Sequence, residues 1–190
     1  MRETSQHPER GSSLIVVILV MAFMLAVGVA ILTITGVAPK VSGSVRDQEE
    51  AFNTAEAGFD AARLAIERAL LDGTWANLQD NCLRTPTGID LPLDAAYFRR
   101  QSDVALTQTL SEGTTGVLYK DAPFLKTASG QNDLTRTYTV FLIDDEAGGG
   151  MADPTDVLLV CIGVIRSGNR VLSTSRLEVL LGLEATGGNP

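Results

Sequence analysis

The chain has 190 residues, a net charge of −8 and a single histidine, His7. One histidine, two distant cysteines and no CxxC exclude a structural zinc site and a Ser/His or Cys/His catalytic set, so nothing in the sequence supports an enzyme. The charges of the first ten residues (Arg2, Glu3, Glu9 and Arg10) cancel, so the acidity lies further along, without a Lys/Arg cluster. This argues against nucleic acid as a direct partner and against a domain lying on anionic lipid.

No charged residue occurs between Arg10 and Lys40. Within that gap the run from Leu14 to Ala38 is apolar. As a helix it spans about 37 Å, more than the ~30 Å hydrocarbon core of a bilayer. A cleaved secretory signal has a shorter apolar core and a small-residue cleavage site. Here Val37-Ala38-Pro39 is a poor site. Two alternatives stay open: an ordinary N-terminal anchor, and a leader cut before the apolar run.

Gly36 and Pro39 weaken a continuous helix and suggest a bend or loosening at the end of the apolar run. From Val45 the pattern becomes amphipathic. Ala51, Phe52, Ala55, Phe59, Ala62, Ile66, Ala69 and Leu70 recur at three- and four-residue spacing and predict one apolar stripe. Asp72-Gly73 is the expected stop.

Residues 74–126 carry Pro86, Gly88, Pro92, Gly113, Gly116 and Pro123, and read as loop-rich with short helical turns near 75–83 and 94–100. The C-terminal third predicts three strands: 135–144, which alternates polar and apolar, 157–166, which is more buried, and 170–181. The last has Val171, Ser173, Ser175, Leu177, Val179 and Leu181 on one face. Ser167-Gly168-Asn169 links the last two as a hairpin. An antiparallel sheet packed on the helical stripe is an α+β domain. The loop Asp144–Asp156 holds five acids, and Asp144, Asp145, Asp153 and Asp156 are candidate calcium ligands. The spacing is not that of an EF-hand, and a solvated loop is the competing reading. Cys82 and Cys161 are open to a disulfide in an exported domain, or to reduced burial in the core.

Two motifs carry a family resemblance. Arg10-Gly11-Ser12-Ser13-Leu14-Ile15-Val16-Val17 resembles a prepilin peptidase site, a short polar leader ending in glycine ahead of an apolar helix. The run Glu50-Ala51-Phe52-Asn53-Thr54-Ala55-Glu56-Ala57-Gly58 resembles the AF-x-x-AE-x-G signature of the PilX N-terminal family, minor pilins of type IV pilus systems. The resemblance implies a cytoplasmic leader over 1–11, cut between Gly11 and Ser12, with Ser12 as the new, N-methylated terminus. It implies a transmembrane and filament-core helix over 12–38, an amphipathic helix over 39–72, and a globular pilin-like domain over 73–190. The implied partners are prepilin peptidase, the inner membrane and other pilin subunits, and the implied cofactor list is empty apart from the calcium candidate.

Leu14, Val16, Gly36 and Pro39 are the residues expected to matter for membrane residence and assembly. Major pilins carry a glutamate at the fifth mature position, where this chain has Val16. A subunit without that docking charge fits a place at or near a filament tip. A K-type tip pseudopilin of type II secretion also lacks the glutamate, but that family usually carries a much larger inserted domain. The alternative of another class is a single-pass membrane protein with a periplasmic binding domain.

Overall fold

The computed structural model describes residues 12–144 and 156–182. The chain divides into two compact units, Met1–Gly43 and Ser44–Pro190.

Helix α1 runs Ser12–Leu71, covering both expected helical segments. In the first unit its stretch Ser13–Thr33 is 21 residues long, uncharged and without a buried residue. A helix satisfies its own backbone groups, so such a span is long and apolar enough to cross a membrane. Gly36 and Pro39 both lie inside α1, so neither ends it; their side chains lie outside the described residues. Proline removes one N–H from the helical ladder, a local loss within a 60-residue helix.

The second unit is α+β and pilin-like, with the C-terminal part of α1 laid on a four-stranded antiparallel sheet. Its strands are β1 (Val117–Pro123), β2 (Arg136–Ile143), β3 (Asp156–Ser167) and β4 (Arg170–Gly182), in the order β1-β2-β3-β4. The three expected strands are β2, β3 and β4. Gly168, at φ 59°, makes the turn between the last two, which pair from Ser167↔Arg170 to Asp156↔Gly182. Strand β1 and a short helix α2 (Asp103–Thr109) fall in the stretch expected to be loop-rich. The helical turns expected near 75–83 and 94–100 are single 3-10 turns at Gln79–Asn81 and Phe98–Arg100.

Helix α1 stops where the sequence marks it. Gly73 takes φ 68°, and the N–H of Trp75 reaches back to the carbonyl of Ala69 at 3.0 Å.

Both sheet faces are covered. On one, Ala55, Ala62 and Ile66 of α1 pack with Val140, Leu142, Val157, Leu159 and Cys161. On the other, Leu83, Ile89, Phe98, Leu106 and Leu110 pack with Phe141, Ile143, Val160 and Ile162. This second cover explains why β3 reads as an almost unbroken apolar run: neither of its faces meets water.

Two expectations about faces are corrected. Register shifts between Ile165 and Arg166, which pair with Ser173 and Val171, so Leu172 is an extra residue in β4. A bulge of this kind reverses the alternation beyond it. Val171 therefore packs with the cluster opposite α1, while Leu177 and Leu181 pack on the α1 side. Phe52 is also off the expected stripe and is 43% exposed. The buried helix positions are Ala51, Thr54, Ala55, Gly58, Ala62 and Ile66. These follow helical spacing strictly, and Phe52 sits about 100° around the helix from Ala51.

Candidate functional site

The residues with the strongest claim to function lie along α1. Gly11 lies outside the described residues, and Ser12 is the first residue of α1. Leu14 and Val16 are exposed on a helix surface that is apolar all round. Such a surface needs lipid or other helices to cover it.

The Ala51–Gly58 segment divides between two surfaces. Ala51 and Ala55 have no exposed surface, and Gly58 is also buried. They allow close approach to the sheet. A Cβ on Gly163 of β3 would lie 2.7 Å from the backbone nitrogen of Ala55, and nearer still to the carbonyl oxygen of Ala51. A Cβ on Gly58 would lie 3.0 Å from the Tyr138 ring and 3.1 Å from Val140 Cγ2. Thr54, also fully buried, donates its hydroxyl to the Glu50 carbonyl at 2.7 Å, so its polar atom is satisfied within the helix. Phe52 and Glu56, four residues apart, point outward and are exposed. Glu56 forms no ion pair among the described residues.

Glu50, which opens the signature run, is ion-paired. It accepts from Arg46 Nε at 3.2 Å and from Arg136 Nη2 at 3.0 Å. Arg136 also meets Asp133 at 3.2 Å. Desolvation works to raise the Glu50 carboxyl, but the hydrogen bonds from Arg136 and Arg46 outweigh it and hold the group below its ordinary value. This pairing ties the start of the docked helix to the start of β2. It is partly exposed, so it orients the helix more than it stabilises it.

Cys82 and Cys161 are both free thiols, buried in the cluster beneath α1. Burial pushes each up to about 12; for Cys82 the nearby Asp144 charge adds to it. The thiolate is the reactive form, so both groups are inert while the fold holds. At pH 8, Ellman's reagent is expected to find almost no thiol in the native chain and two per chain in denaturant. A native titre of one or two, or no thiol after unfolding, contradicts this arrangement.

The acidic loop is only partly described. Asp144 is 9% exposed and accepts from Gln79 Nε2 at 2.9 Å. Asp156 opens β3 opposite Gly182. Asp145 and Asp153 lie outside the described residues. Among the described residues no three His, Cys, Asp or Glu side chains are grouped to hold a metal ion.

Gly163 has no counterpart among the residues singled out from sequence. Its signal is nonetheless present there: a lone glycine inside a strand pattern marks close approach of another backbone.

Neither a curated protein nor a solved structure matches the chain. Residues 10–60 match the PilX N-terminal family model, and the match ends on α1, ahead of every strand. It covers the apolar span together with the inward-facing Ala51 and Ala55, and this stretch is consistent with a PilX-type pilin N-terminal region.

Proposed function

We propose that the chain is a structural minor pilin of the PilX type. In this reading prepilin peptidase cuts between Gly11 and Ser12. The span Ser13–Thr33 holds the subunit in the inner membrane, with the unit Ser44–Pro190 outside the cytoplasm. The subunit then leaves the membrane for a type IV pilus or related pseudopilus, where its apolar helix exchanges lipid for the helices of other pilin subunits. The observation that carries the reading is the content of α1. One helix bears an uncovered apolar span long enough for a bilayer and a small-residue face docked on the protein's own sheet, and the family match spans both. A plain anchor accounts for the first feature alone. Val16 in place of a carboxylate suits a subunit that primes or caps the filament, because it has no docking charge to offer within the apolar core.

The test is processing. In cells that also express a prepilin peptidase, the chain is expected to begin at Ser12, read by N-terminal sequencing and intact mass. Gly11→Ala is expected to leave the leader in place. If the peptidase trims a control prepilin while this chain keeps Met1, the pilin reading fails.

A further inference from the structure

A cavity of about 470 Å³ opens on the second unit, lined by Asp80, Cys82, Arg84, Thr85, Thr114 and Thr115. Its volume lies within the ~300–1,000 Å³ typical of small-molecule sites. Two main-chain segments form its walls, and a single residue of β2 holds both. Leu83 donates its N–H to the Leu142 carbonyl at 2.7 Å, and Leu142 donates its own N–H to the Gly116 carbonyl at 2.8 Å. Gly116 has φ 89°, and a Cβ there would collide with the main chain of Leu83, 2.6 Å from its Cα. The walls are thus set by backbone bonding and a required glycine, and the lining side chains project from fixed points.

The lining is chemically mixed and largely unspent. Arg84 has neither an ion pair nor a hydrogen bond among the described residues, and the hydroxyls of Thr85, Thr114 and Thr115 are likewise unbonded there. Asp80 takes Asn77 Nδ2 on Oδ2 at 2.7 Å and keeps Oδ1 open. Asp80 and Arg84 line one cavity without pairing to each other. Cys82, 1% exposed, gives a neutral floor.

This combination selects a ligand. A simple anion would gain Arg84 but meet the Asp80 carboxylate as a like charge. A neutral polyol would leave the guanidinium unused. A molecule with a carboxylate at one end and hydroxyls at the other uses every group: the guanidinium fork takes the carboxylate, Asp80 accepts from hydroxyls, and the threonines donate and accept. We propose that this cavity binds an acidic saccharide of the uronic-acid type, with its carboxylate on Arg84 and its ring hydroxyls on Asp80, Thr114 and Thr115. The site lies beyond the residues matched by the family model and stands independently of the filament role.

The experiment uses the full chain in a polyoxyethylene-ether micelle, which has no sugar headgroup. Binding of D-glucuronate, D-glucose and inorganic phosphate is read by saturation-transfer difference and calorimetry. Glucuronate is expected to bind at least about tenfold more tightly than either of the others. Arg84→Gln is expected to reduce glucuronate affinity to that of glucose, and Asp80→Asn to weaken glucuronate while improving phosphate. Both side chains are exposed, and an unchanged melting curve confirms that each variant folds. Equal binding of glucose and glucuronate, phosphate binding as tightly as glucuronate, indifference to Arg84→Gln, or no glucuronate binding overturns the proposal.

Discussion

Gly163→Ala is expected to destabilise the second unit by about 1–3 kcal/mol, and Gly163→Val by more. The new Cβ would meet main chain, the carbonyl oxygen of Ala51 and the nitrogen of Ala55, and no rotamer relieves that collision. Relief requires α1 to lift from β3, which loosens the packing of Ala55, Ala62 and Ile66 against Val140, Leu159 and Cys161. Gly58→Ala is the control. Its Cβ would meet side-chain atoms of Tyr138 and Val140 at 3.0–3.1 Å, which can give way. A glycine inside a helix also costs about 1 kcal/mol relative to alanine, so the two effects oppose each other at Gly58. Trp75, the only tryptophan, packs against the cluster beneath α1, so its fluorescence reports docking. In urea unfolding followed at Trp75, Gly163→Ala should shift the midpoint well below the parent and Gly58→Ala should stay near it. The reverse order of damage would mean that α1 meets the sheet at another register.

Much of this arrangement is legible in the sequence because its signals are local. β2, β3 and β4 carry β-branched and apolar residues between clear turn residues, and the end of α1 is marked by Gly73. β1 is not legible, because its own residues do not specify it. The segment VLYKDAP is half-buried throughout, carries Lys120, Asp121 and Pro123, and shifts register twice against β2. Asp121 sits at φ 46° between those paired stretches. Such a strand exists because β2 offers it a partner. The short helix α2 has a local start signal in Ser102, whose side chain accepts from the Ala105 N–H, but at seven residues it is also held from β4, by Arg176 on Asp103. Phe52 leaves the stripe because an apolar residue next to a buried one is not necessarily on the same face; the angle decides. The bulge at Leu172 leaves no composition signal, and it alone sends Val171 to the other face. Of the functional residues, those on α1 are legible as motifs. The proposed cavity at Arg84 is not, since its walls are distant in sequence and meet at Leu142 and where Gly116 packs on Leu83.

Arg176→Ala is expected to cost about 2–4 kcal/mol and to release the segment 98–103 from the sheet. The guanidinium of Arg176 binds Asp103 Oδ1 through Nη2 at 2.6 Å and through Nε at 2.7 Å. It also donates to the carbonyls of Phe98 at 3.2 Å and Gln101 at 3.0 Å. Its side chain is 16% exposed, so these acceptors do not simply turn to bulk water when it is removed. Asp103 would keep Thr174 Oγ1 at 2.8 Å, one partner for a largely buried carboxylate. Phe98, fully buried and edge-on to Tyr97, is the apolar anchor of the same segment. Arg176→Lys should recover little, because an ammonium cannot reach three acceptors in the directions of a planar fork. The segment carries its own reporter in Arg99-Arg100, a tryptic site. In the parent, Arg99 is held by Glu178 at 2.8 Å and lies over the Phe98 ring, 5.2 Å from its centre. Cleavage there samples opening of the segment, so a loss of about 2 kcal/mol should speed it roughly 30-fold when reclosing is fast. Asp103→Asn should speed it too, and the double substitution should fall short of the sum of the two singles. If trypsin cuts after Arg100 at the parental rate in Arg176→Lys, charge alone holds the segment and the fork geometry is not what fixes it.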